Sequence, residues 1–85
     1  MPASLPRYHR FGQNLSQQRT RIQWTQEKSA ERLKISVRYY QSLEAGSRAP
    51  SFELLLKIVR VFKCGWDDLL KGAEQRDVAS IRGPT

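Results

Sequence analysis

WTQEKSAERLKISVRYYQSLEAGSRAP, residues 24–50, decides the fold. Thr25 is a strong N-cap, because its hydroxyl accepts a hydrogen bond from a backbone N–H that a starting helix leaves free. Glu27 follows in the first turn, where the helix dipole favours an anion. A helix is therefore predicted from Gln26 to about Leu33. Lys34 and Ile35 separate it from Ser36, a second N-cap, which opens a helix running to Ala45. That helix stops at Gly46, the residue type best able to adopt the left-handed conformation just past a helix end. The stretch reads as two short capped helices around a tight turn.

The flanks continue the helical pattern. Upstream, Phe11, Leu15 and Ile22 are spaced by four and seven, with Arg19 between them, which predicts a helix over about Phe11–Gln23. Its Gln, Asn, Ser and Arg side chains read as a solvated or ligand-facing surface. Residues 1–10 hold two prolines and no helical stripe, so they read as a flexible basic arm. Downstream, Ser51 is a third N-cap, followed by Phe52, Leu55, Val59 and Phe62 as an apolar stripe that Leu54, Ile58 and Val61 widen. Lys63-Cys64-Gly65 ends that helix. Trp66 to Lys71 then reads as a short fifth helix with Asp67 and Asp68 at its positive end. The expected organisation is all-α with five helices: an arm over 1–10, a domain over 11–72 and a tail over 73–85, the helix pair occupying about 25–46.

At 85 residues the chain has room for one domain, near the lower size at which a hydrophobic core alone supports a fold. The single Cys64 excludes an internal disulfide, and one histidine without a CxxC pair offers no metal site, so no cofactor is expected. His9 lacks partners for metal or acid–base work. Cys64 reads as a small apolar residue packing at the end of the fourth helix. Asp67 and Asp68 are neighbours that diverge around a helix, and dipole stabilisation explains them without catalysis. With no nucleophile–base pair, Gly-rich phosphate loop or ligand cluster, an enzyme is the poorest reading. No apolar run approaches the ~20 residues needed to cross a bilayer, and a signal-peptide core is missing, so the chain reads as soluble and cytoplasmic.

Charge points to a partner. The formal net charge is +7, and the usual reason for such an excess is a polyanion. The first 50 residues hold nine basic and three acidic side chains, the rest six and five. The basic half is the one that contains the helix pair. Small Ala30 lies where those helices would cross, Leu33, Ile35 and Leu43 face inward, and Gly46 closes the unit, which is helix-turn-helix geometry. In that arrangement the second helix offers its N-terminal turns to the major groove while the first crosses the phosphate backbone. Arg38 breaks a local rule there: a cation in a first helical turn is disfavoured by up to ~1 kcal/mol. A guanine edge or a phosphate would explain it, and a bidentate contact to guanine, at ~1–3 kcal/mol of discrimination, outweighs that cost. The basic, aromatic segment Arg7-Tyr8-His9-Arg10 either reaches a minor groove or phosphates or, as a disordered arm, adds only salt-sensitive, nonspecific attraction.

These residues resemble the Cro/cI-type (XRE) helix-turn-helix proteins, which include lambdoid phage repressors and many small bacterial regulators. The marks span about Phe11–Leu70: Arg19, Thr25-Gln26-Glu27, Ala30, Ser36, Leu43-Glu44-Ala45-Gly46, Pro50-Ser51 and Trp66-Asp67-Asp68-Leu69-Leu70. The resemblance implies a compact lambda-repressor-like domain in which Gln26 contacts the DNA backbone. It implies that Ser36, Val37, Arg38, Tyr39 and Ser42 face phosphates or base edges, and that Arg48 approaches a phosphate from the following loop. Arg19 and Glu44 match a family ion pair that joins the first helix to the recognition helix. Trp66, Leu69 and Leu70 either seal the monomer core or, as the resemblance implies, fall where such proteins pair two subunits; on the second reading a homodimer on a palindromic operator in double-stranded DNA is expected. Three positions depart from the pattern: Ser29 replaces a core Leu, Lys34 a turn Gly, and Tyr40 an aliphatic residue. A large Tyr40 beside a small Ser29 suggests volume compensation. The expected function is a sequence-specific transcriptional regulator, with RNA polymerase as a possible protein partner. The alternative is an antitoxin-like interaction module that docks a toxin and binds DNA secondarily.

Overall fold

The computed structural model describes residues 7–73 and contains five helices: α1 (His9–Arg21), α2 (Gln26–Leu33), α3 (Val37–Ala45), α4 (Phe52–Phe62) and α5 (Trp66–Leu70). Three of the N-termini are closed by the hydroxyls named above. Thr25 accepts from the Lys28 N–H at 3.0 Å, Ser36 from the Tyr39 N–H at 3.0 Å and Ser51 from the Leu54 N–H at 3.1 Å. α5 starts differently, with the Asp68 carboxylate accepting the Gly65 N–H at 2.8 Å. Lys34 and Lys63 end α2 and α4 with φ of 60° and 55°, so the position where a turn Gly was missed does adopt the left-handed conformation.

α1 begins at His9, two residues before the expected Phe11, and ends at Arg21 instead of Gln23. The early start has a tertiary cause. The Tyr8 N–H donates to the Gly46 carbonyl at 3.0 Å and the Tyr8 carbonyl accepts from Gly12 at 2.9 Å. The end of α3 thereby pins the chain and starts the helix. His9 and Arg10 thus belong to α1 and not to a free arm; residues 1–6 and the tail from 74 onward lie outside the described residues.

α1 packs on α3 and α5, and α2 packs on α3 and α4. The shared core consists of Phe11, Leu15, Ala30, Leu33, Tyr40, Leu43, Leu54, Leu55, Ile58, Phe62 and Leu69. In α4 the buried stripe is Leu54, Leu55, Ile58 and Phe62, rotated from the expected one; Phe52 faces outward at 51% exposure, and Val59 is only half-buried. Period alone left the centre of a broad apolar face open, and the docking of α2 selects it. Cys64 packs half-buried against the core, and burial pushes its thiol pKa up.

The last helix divides the three side chains that were open to either a core or a subunit contact. Leu69 is wholly buried in its own domain, so it is not available to a second subunit, whereas Trp66 stays exposed and Leu70 is half-buried. The cause lies in α1. Asn14, expected on a solvated face, is buried, and its Nδ2 donates to the carbonyls of Leu69 at 2.7 Å and Lys71 at 2.9 Å. That single amide satisfies two carbonyls at the end of α5 and draws the helix onto α1. Two cations close other helix ends in the same manner: Arg21 donates to the Phe62 carbonyl at 2.9 Å and Lys57 to the Leu33 carbonyl at 3.1 Å.

The α1–α3 crossing is close enough to exclude a side chain at Gly12. A Cβ built there would lie 2.3 Å from the Glu44 carbonyl oxygen, and one at Gly46 (φ 82°) would lie 2.7 Å from the His9 Cα. In a helix interior alanine normally gains ~1 kcal/mol over glycine, but overpacking against rigid backbone costs ~1–3 kcal/mol. Gly12→Ala is therefore expected to lower the melting temperature by several degrees, measured by circular dichroism, in place of the rise that helix propensity alone predicts.

Candidate nucleic-acid interface

α3 is held at a defined angle by a polar cluster on its inner side. Arg19 of α1 grips the Glu44 carboxylate with two nitrogens, Nε to Oε2 at 2.6 Å and Nη2 to Oε1 at 3.2 Å, and its Nη1 donates to the Trp24 carbonyl at 2.9 Å. The same carboxylate accepts the Tyr40 hydroxyl at 2.6 Å and Gln26 Nε2 at 2.9 Å. One carboxylate thus links α1, α2 and α3. Burial pushes the Glu44 pKa up, but the hydrogen bonds from Arg19, Tyr40 and Gln26 outweigh it and hold the carboxyl below its ordinary range. The Glu44 hydrogen bond raises the Arg19 pKa, and burial, reinforced by Glu44, pushes the Tyr40 phenol far above its ordinary value.

Tyr40 and Ser29 are both wholly buried, and the phenol finds its polar partner in Glu44. Among the described residues Ser29 Oγ has no hydrogen-bond partner. Gln41, which sequence reasoning passed over, donates to Gln26 Oε1 at 3.2 Å. Tyr40 precedes Glu44 by four residues, a spacing that puts both on one helical face and was the available signal. Gln41 and Gln26 lie on different helices, and no local pattern marks their pairing.

The outer side of α3 gathers most of the expected contact residues. Ser36, Arg38, Tyr39, Ser42 and Arg48 line one shallow concavity without an acidic side chain among them. Arg38 is exposed, and the only ion pair among the described residues is Arg19–Glu44, so its charge is unmatched among them. The Arg48 guanidinium lies 5.8 Å from the Tyr39 ring centroid, and the Tyr39 hydroxyl reaches the Ala49 carbonyl at 3.5 Å. Tyr39 thus bridges α3 to the next loop and brings Arg48 to the side of Arg38. Ser36 Oγ accepts from the helix and keeps its proton for a ligand. Ser42 spends its proton on the Arg38 carbonyl at 2.9 Å and retains accepting capacity only.

Two expected residues stand apart from that concavity. Val37 is half-buried and packs against the core. Gln26 sits at the start of α2 with its amide engaged by both Glu44 and Gln41, which orients it and leaves one N–H uncommitted. Chemically the surface offers two guanidiniums, a donor hydroxyl and a capped helix N-terminus, a set suited to phosphate oxygens and to acceptors on a base edge.

Residues 15–69 match the family model described as Helix-turn-helix. The chain is 34% identical over 68 residues to the protein named "Uncharacterized HTH-type transcriptional regulator YqaE" of Bacillus subtilis (strain 168). That alignment covers 80% of this chain and 59% of the relative, so the chain spans less than two thirds of the relative's length. No solved structure matches the chain significantly.

The cluster generates a stability test with a defined sign. Glu44 has a depressed pKa when folded and regains an ordinary one when unfolded, so its stabilisation is complete above the ordinary value of 4.5 and is lost as pH falls through the folded value. Arg19→Ala, which leaves the half-buried carboxylate without its main partner, is expected to cost about 3 kcal/mol at neutral pH. Urea denaturation from pH 7 down to acid is expected to show the parent losing stability below the ordinary carboxylate value, and Arg19→Ala losing less over that range. Parallel curves would remove the ion pair from the account.

Proposed function

Because the chain belongs to the helix-turn-helix family, we propose that it is a sequence-specific regulator of transcription that binds double-stranded DNA as a homodimer on a palindromic operator. The observation that carries this reading is the concavity on the outer side of α3, where Arg38 and Arg48 stand without acidic neighbours beside the N-cap Ser36. A cation unmatched among the described residues, in a helical turn whose dipole disfavours it, gains most from an anionic or acceptor-rich ligand.

In the proposed complex the first turns of α3 enter the major groove. Arg38 reads a guanine edge through two hydrogen bonds, while Arg48, steadied by Tyr39, and Ser36 hold phosphates on either side. Gln26, fixed at the start of α2, reaches the backbone with its remaining N–H. Val37 is confined to a contact made by a half-buried apolar side chain, such as with a thymine methyl. A two-fold pair of such domains places the recognition helices one turn of DNA apart, ~34 Å, which is why a palindrome suits it. Among the described residues no helix is long and apolar enough to cross a membrane.

The two arginines are expected to differ in kind. Arg38→Ala should weaken binding to a selected duplex by about 10- to 100-fold and relax preference at one base position in each half-site. Arg48→Ala should weaken all duplexes alike and reduce the slope of log affinity against log salt by about one per bound subunit. Fluorescence anisotropy with duplexes selected from a random pool, at several salt concentrations, measures both. If no duplex is preferred by the parent chain, the regulator reading fails.

A further inference from the structure

The large apolar side chains that remain exposed among the described residues are Phe52, Leu56 and Trp66, and they are neighbours. Phe52 and Trp66 stack with centroids 6.3 Å apart and planes 14° from parallel, forming a ledge that spans α4 and α5. Leu56 lies one helical turn beyond Phe52. The same face of α4 continues with Arg60, since positions 52, 56 and 60 are spaced by four, and Lys63 follows as the left-handed residue that ends the helix. All of these, and Glu53 beside Phe52, are exposed. Glu53 and Arg60 belong to no ion pair among the described residues. Lys57 is drawn off this face by its bond to the Leu33 carbonyl at 3.1 Å.

The order of these side chains is self-complementary. The stripe is acidic at its beginning, apolar in its middle and basic at its end. A second copy laid antiparallel meets it with basic, apolar and acidic in matching places. Leu56 stands midway between Glu53 and Arg60, so a two-fold axis beside Leu56 sets it against its own counterpart and brings Glu53 of each copy to Arg60 of the other, twice. The same axis brings the Phe52–Trp66 ledge under the aliphatic stems and cationic heads of Arg60 and Lys63 of the second copy, which cover aromatic surface well. We propose that α4, extended by Trp66, is the seam of the homodimer, with two copies pairing antiparallel across Leu56 through reciprocal Glu53–Arg60 contacts. The proposal rests on the homodimer reading and moves the seam from Leu69 and Leu70, one buried and the other half-buried, to the exposed face of α4.

Charge reversal tests the pairing without touching the core. Sedimentation equilibrium of the full chain, free of DNA, is expected to show a dimer; Glu53→Arg and Arg60→Glu should each weaken self-association at least ~10-fold, because each sets like charges opposite one another twice. Mixing the two variants should restore association as a heterodimer at close to the parent's strength. In that heterodimer the two reversed side chains face each other with opposite charge, and the unaltered Arg60 of one variant meets the unaltered Glu53 of the other. Circular dichroism checks that both variants fold. A dimer indifferent to both reversals, or two weakened variants that fail to recover on mixing, overturns this seam; so does a cover supplied by residues 74–85 of the same chain, which would appear as a parent that stays monomeric. Duplex selection by the parent reports separately on DNA recognition, so a failed seam with intact sequence preference leaves the regulator reading in place.

Discussion

The Glu44 carboxylate is the point on which the geometry of the molecule turns. Two nitrogens of Arg19, the Tyr40 hydroxyl and the Gln26 amide converge on it, and each comes from a different helix or a different turn of α3. A half-buried charge is costly unless its acceptor sites are filled, and here they are. The consequence is directional: hydrophobic burial alone allows α3 to roll and slide on α1, but four hydrogen bonds to one group admit a single arrangement. Gly12 enforces the closeness of that arrangement by letting the backbones of α1 and α3 touch.

Such a fixed inner face gives the outer face of α3 its meaning. In the proposed DNA complex, side chains that read an acceptor pattern need their helix held closely in place, and the cluster behind Glu44 supplies that placement. Gln26 takes part on both sides. Its amide is bound inward to Glu44 and sideways to Gln41, so the start of α2 is tied to the same frame as the concavity at Arg38. Tyr39 extends the frame to the loop that carries Arg48. The concavity that holds Arg38 and Arg48 is thus rigidly backed, while both arginines stay exposed.

Stability and association divide the remaining apolar surface. α5 is short, yet Asn14 captures its terminal carbonyls and turns Leu69 fully inward. What is left over is gathered at the beginning of α4, where Phe52 and Trp66 stack against each other in place of a core partner. Stacking hides part of each ring but leaves a flat apolar ledge flanked by Glu53 and Arg60, which form no ion pair among the described residues. Surface of that type suits a partner more than it suits water.

Much of the architecture was legible in local chemistry. Caps at Thr25, Ser36 and Ser51, the stop at Gly46 and the spacing of apolar residues are interactions among residues within a few positions, so the order and extent of α2 to α5 follow from the chain alone. The polarity of the Arg38 region was legible for the same reason, since a cation in a first turn contradicts a local rule. The start of α1 at His9, the burial of Asn14, the rotation that exposes Phe52, and the pairing of Gln41 with Gln26 depend on residues up to 57 positions apart. Pattern along a chain tells how wide an apolar face is and where a helix can begin, because those are matters of neighbours. Which part of that face is covered, and which polar side chain goes inside with a partner, is settled only when distant helices meet and each buried polar group must find its mate.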